Sequence, residues 1–178
     1  AAQVPDFEAS NARTEAPKAK SADQIRVASF NVLNFFTGET AANPFPTRRG
    51  ATNANELERQ QAKMIAALSR MDADVIGLLE VENNGFDERS ALATLVRELN
   101  KSLGENRYAF VKPESSQGND AIKVAMIYNQ QKVTETGKAA VTAEGPFAYG
   151  SRAPLAQSFK AKTASTSFTV SINHFKSK

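Results

Sequence analysis

The chain has 178 residues, 41% of them hydrophobic, which suits one domain with a core and excludes a disordered chain. Its formal charge of +3 fits a phosphate-rich ligand without requiring one. With no cysteine there is no disulfide or thiolate zinc site, and no apolar run of about 18 residues implies membrane insertion.

Residues 1–23 are rich in Ala, Ser, Asn, Pro and mixed charge with no apolar period, and are expected to form a linker or N-terminal arm ahead of a domain at 24–178. The alternation of IRVASF predicts a strand at 25–30, with Asn31 at its end. A long irregular segment follows, to about Ala54, carrying Arg48 and Arg49; loops of that length in compact domains are usually functional or mobile. Leu57, Met64, Ile65, Leu68 and Met71 share one face of a helix predicted over 56–71, with Asn55 as the candidate N-cap. The apolar run of DVIGLLEV predicts a strand over 74–81 buried on both faces. A second helix is predicted over 90–103, and short strands over 108–111, 123–128, 155–162 and 168–173. This order implies a mixed sheet with helices on one face.

Three polar groups stand at strand ends. Asn31 offers a carboxamide oxygen suited to a hard cation, although a turn or cap role is the plainer alternative. Glu80 follows five apolar residues, where a carboxylate costs several kcal/mol unless paired or metal-bound. His174 is the only histidine, so any imidazole acid–base chemistry rests on it. One such group at each of three strand ends points to a built site. Arg152 can clamp an anion, Arg48 and Arg49 can touch a nucleic-acid backbone, and Asp120 is either a site carboxylate or a turn residue. For any single arginine, a solubilising surface role is the simpler explanation.

RVASFNVLNFF, VIGLLEVENNG and SINHFKSK resemble three strands of the endonuclease/exonuclease/phosphatase superfamily, whose Asn, Glu and His match Asn31, Glu80 and His174. The intervening RRGATNANELERQQAKMIAAL, GNDAIKVAMIYN and SRAPLAQSF resemble its bacterial extracellular nuclease branch. The resemblance covers about residues 25–178. It implies an α/β (α+β) fold, part of a four-layer α/β/β/α sandwich, with this chain supplying mainly the first mixed β-sheet and two covering helices. It also implies phosphodiester hydrolysis of extracellular DNA by a secreted bacterial enzyme. Glu80 and Asn31 would hold Mg²⁺ (Mn²⁺ or Ca²⁺ being the alternatives), His174 would contact the phosphate, and Arg152 and Asp120 would flank it. A lipid or sugar phosphodiesterase of the same superfamily, or a non-catalytic module, is the competing expectation.

Further groups of that superfamily lie downstream of the SINHFKSK match: an Asp-x-Asn pair, another Asp or Asn, and a terminal Asp-His pair. They are not among these 178 residues. The chain is therefore expected to be the N-terminal portion of its domain, to need the missing C-terminal part as a partner, and to be nearly inactive alone. The expectation extends to an uncovered inner sheet face carrying Val27, Ile76, Leu78, Ala125 and Ile127, which would make the chain self-associate.

Overall fold

A computed structural model describes residues 18–40, 43–148 and 151–175. The chain opens with strand β1 (Val27–Phe35), passes through a small ribbon of β2 (Glu39–Thr40) and β3 (Asn43–Pro44), and enters helix α1 (Ala54–Met71). Next come β4 (Val75–Glu82), helix α2 (Ala91–Leu103), β5 (Tyr108–Phe110) and β6 (Ile122–Asn129). The strands β7 (Val133–Val141), β8 (Leu155–Ala161) and β9 (Ser167–Ile172) complete it, with a short 3-10 turn at Gly145–Phe147 before β8.

Local chemistry sets the helix ends. The side chain of Asn53, not Asn55, caps α1 by accepting from the Glu56 N–H at 3.0 Å. Asn55 lies inside the first turn, so the sequence expectation for the cap shifts by two residues. Ser90 caps α2 by accepting from the Ala93 N–H, and Gly104 ends that helix at a left-handed φ of 69°. Each such N-cap is worth about 1 kcal/mol.

Two sheets stack in the described structure. The first has the order β1-β4-β6-β5, with β1 parallel to β4 and the other pairs antiparallel. The second is the antiparallel meander β7-β8-β9. On the outer face of the first sheet, Ile76, Leu78, Ala125 and Ile127 pack with Met64 and Leu68 of α1 and Leu92, Leu95 and Leu99 of α2. On its inner face, Val75, Val124 and Met126 pack against Leu155, Phe159, Val170 and Ile172 of the second sheet. At Gly77 the sheets approach so closely that an added Cβ would lie 1.9 Å from Ile172 Cδ1.

The mixed sheet with two helices on one face agrees with the expectation, and the layers form an α/β sandwich. The expectation of an uncovered inner face does not hold. Three strands of a second sheet already cover it, and Ile76, Leu78, Ala125 and Ile127 face the helices instead. Val27 belongs to neither core, being 48% exposed. The assignment failed because in a strand buried on both faces apolar residues alternate with apolar residues, so composition does not say which set points which way.

At the end of β4 remote from Glu80, the buried Asp74 carboxylate accepts from Lys20 Nζ at 2.7 Å and from the Arg26 N–H at 2.9 Å. Arg26 Nη1 also donates to the Met71 carbonyl at 2.8 Å. The described part of the arm is thus tied to the domain through a buried, fully paired carboxylate. Residues 1–17 of the expected linker lie outside the described residues.

Candidate active site

The site begins as a pair of irregularities in neighbouring strands. β1 and β4 are in register at Asn31↔Leu79 and again at Phe35↔Val81, so Val32, Leu33 and Asn34 stand opposite Glu80 alone. On its other side β4 pairs at Leu78↔Ala125 and Val81↔Lys123, so Leu79 and Glu80 oppose only Val124. Bulges of this kind re-aim side chains and recur next to active sites. Here Glu80 adopts φ 67°, Leu33 φ 55° and Asn34 φ 50°. Left-handed conformations cost a non-glycine residue about 1–2 kcal/mol each, so the surroundings must hold them. Gln60 of α1 does part of this, donating to the Val32 and Leu33 carbonyls at 2.9 and 2.7 Å.

The bulge delivers the Glu80 carboxylate to three partners. Asn31 Nδ2 donates to Oε1 at 2.9 Å, and the Asn34 N–H donates to Oε2 at 3.1 Å. His174 Nε2, just beyond β9, lies 3.7 Å from Oε1. The amide of Asn31 is oriented in turn, since its Oδ1 accepts from the Leu33 N–H at 2.8 Å. Two strands of the first sheet and one of the second therefore converge at one edge.

A charged triad adjoins this cluster. Asp120, just before β6, lies 3.0 Å from Arg152 Nε and 3.2 Å from Arg49 Nη1. The Arg152 contact has ion-pair distance without hydrogen-bond alignment. The positive charge of Arg152 reaches His174, which links the triad to the cluster. Asp120 thus joins a loop of the first sheet to the segment preceding β8. Arg48 is exposed, and no hydrogen bond or ion pair ties it to this network among the described residues.

Burial holds the His174 imidazole below its ordinary pKa, the Arg152 charge pushes the same way, and Glu80 and Asp120 oppose both. Its Nδ1 is buried without a partner among the described residues. The neutral ring therefore keeps its proton on Nε2, the nitrogen facing Glu80, because a buried N–H without an acceptor is costly. Behind the site, the β4–α2 loop is held by Lys123, whose Nζ donates to the Gly85 carbonyl at 2.6 Å and lies 3.7 Å from the Phe86 ring centroid. Burial lowers the Lys123 pKa to about 8, with Glu82 opposing.

The donor set suits a hard cation. Glu80 keeps carboxylate lone pairs beyond the two that accept N–H bonds, and oxygen is the only ligand type that Glu80 and Asn31 offer. Among the described residues, no three His, Asp or Glu side chains form a metal-ligand cluster. A single carboxylate with an amide fits Mg²⁺, which keeps several waters and takes substrate phosphate as a further ligand.

Four functional features escaped the sequence: the Asn34 N–H, the Leu33 N–H, Gln60, and the bridging of two arginines by Asp120. The second asparagine of NVLNFF was the visible signal for the first. Backbone donors and partners distant in the chain leave no pattern of their own.

No protein-family model matches the chain, and no curated protein matches it in sequence. Among solved structures, it resembles the human Nocturnin catalytic domain with bound sulfate anion, at TM-score 0.54 and 18% identity. The likeness covers 86% of this chain and 50% of that one, so the chain spans about half the length of that domain. The two share a fold. At this identity the likeness speaks for the fold alone.

Proposed function

We propose that this chain carries part of the active site of a metal-dependent phosphodiesterase that hydrolyses extracellular DNA, secreted by a bacterium. The observation that carries the reading is the convergence of Asn31, Glu80 and His174 from three strands at one sheet edge, beside the Arg49–Asp120–Arg152 triad. Nucleic acid is preferred as substrate because three segments resemble the extracellular nuclease branch and because the arginines suit a polyanion.

In this mechanism Glu80 and Asn31 would hold the cation, Mg²⁺ first, with Mn²⁺ or Ca²⁺ as alternatives. A bound Mg²⁺ supplies charge neutralisation at the scissile phosphate and the leaving oxygen. The hydrogen bonds from Asn31 and Asn34 fix the Glu80 carboxylate before substrate arrives. His174, neutral near pH 7, donates from Nε2 to a non-bridging phosphate oxygen. Arg152 adds positive charge beside it, and Asp120 holds both Arg152 and Arg49 in place. The water-activating Asp-His pair that the family resemblance implies needs a second histidine; this chain has one and spans about half the length of the domain it resembles in fold, so that pair is proposed to lie outside these 178 residues.

The test is a fluorescent DNA-cleavage assay on purified 1–178 with Mg²⁺, run beside DNA binding and phosphocholine release. The proposal expects salt-dependent DNA binding, turnover near background, and no phosphocholine release. Turnover abolished by Glu80→Ala would show that the chain suffices alone; phosphocholine release or absence of DNA binding would contradict the DNA reading.

A further inference from the structure

Among the described residues, three large hydrophobics are strongly exposed: Val27, Leu33 and Phe175. Two of them border the site. Leu33, 73% exposed, gives its N–H to Asn31, and Phe175, 70% exposed, directly follows His174. Phe175 does not stand alone, for its ring stacks on Phe147 with centroids 6.4 Å apart and planes 25° apart. Phe147 lies in the 3-10 turn that precedes Arg152. An aromatic pair therefore sits on the two chain segments that carry the phosphate-facing groups His174 and Arg152.

An exposed aromatic rimmed by polar groups is the kind of surface that marks a ligand contact. Its position limits the ligand. Phe175 directly follows His174 in the chain, and its partner Phe147 is five residues before Arg152, so a ligand that reaches both the platform and the proposed phosphate site must offer a flat apolar face and an anion. A nucleotide chain does so at every residue, and base–aromatic stacking is the usual means by which proteins hold single strands.

We infer that Phe175, backed by Phe147, is a stacking platform for a nucleobase flanking the phosphate that occupies the site, so that the bound substrate is a nucleic acid with an unpaired base at that position. This rests on the phosphodiesterase reading and deepens it. A base-paired duplex hides its base faces, and a simple lipid phosphate has none, so the platform selects single-stranded or locally opened nucleic acid.

The natural chain has no tryptophan, so Phe175→Trp introduces one indole reporter at the platform. The 178-residue chain is titrated at low ionic strength with a labelled oligothymidylate and, separately, with an abasic-spacer oligomer of equal length and charge. Anisotropy reads binding, and indole quenching reads stacking. The inference expects quenching by oligothymidylate alone, and binding of it roughly five- to a hundredfold tighter than the abasic oligomer. Phe175→Ala should erase that preference while leaving abasic binding unchanged. Equal binding of both oligomers without quenching overturns the platform and leaves the phosphodiesterase reading standing. Binding of neither overturns both.

Discussion

The close approach of the two sheets at Gly77 offers a quantitative test, because it lies next to the candidate site. Gly77 and Ile172 face each other across the interface; Glu80 follows Gly77 by three residues on β4, and His174 follows Ile172 by two beyond β9. In Gly77→Ala the new methyl would meet Ile172 Cδ1 at 1.9 Å and Cγ1 at 2.5 Å, both far inside van der Waals contact. Overpacking of this kind costs about 1–3 kcal/mol. For a chain of this size that corresponds to a fall in Tm of about 2–12 °C. Ile172→Ala, a cavity at a buried site, should cost about 2–5 kcal/mol by itself. The double variant should cost less than the sum by about 0.5–3 kcal/mol, since each change relieves the other. Urea unfolding at constant m-value measures all three. The His174 ring resonance should also move in Gly77→Ala and return in the double variant. Additive energies, or a Gly77→Ala within about 0.5 kcal/mol of the natural chain, would refute the packing argument.

Because folding lowers the His174 pKa, the unfolded chain takes the proton first, and this residue's contribution to stability is lost as pH falls through about 6.5. NMR titration of the single imidazole in metal-free buffer should give a midpoint below 6.5, raised by Arg152→Gln and lowered further by Glu80→Gln; no movement in either variant would contradict the assigned causes. Lys123 has its pKa lowered from 10.5 to about 8, so the unfolded chain binds more protons between those values. Its contribution should raise stability by on the order of 3 kcal/mol as pH climbs across that window. Chemical unfolding at both ends of the window should show this rise disappear in Lys123→Met; an unchanged rise would assign it elsewhere. In any longer form of the protein that cleaves DNA with Mg²⁺, Glu80→Ala should lower turnover by about a hundredfold or more. Equal turnover would remove Glu80 from the mechanism.

Much of the fold was legible because its signals are local. The apolar faces of α1 and α2 and the apolar run of β4 each lie within one stretch of chain. β7 was not legible. Its residues VTETGKAAV are largely exposed on an edge strand, with Gly137 at φ 70°, so they show no alternation of apolar and polar. The bulge at Glu80 was hidden for the opposite reason: a continuous apolar run looks the same with or without an extra residue in it. Asn31, Glu80 and His174 stood out as polar groups at predicted strand ends, although β1 runs on past Asn31 to Phe35 and β4 past Glu80 to Glu82. Their meeting, and the joining of Arg49 to Arg152 through Asp120, depends on strand order and sheet stacking, which spacing along the chain does not encode.

The central claim is that Glu80, Asn31 and His174 surround one divalent-cation site. Substoichiometric Mn²⁺ added to the 178-residue chain tests it without requiring catalysis, because the single histidine gives one isolated ring signal. Selective broadening of the His174 resonance is expected, reversed by excess Mg²⁺ and absent in Glu80→Gln. A resonance that stays sharp in the natural chain, or broadens equally in Glu80→Gln, would contradict it.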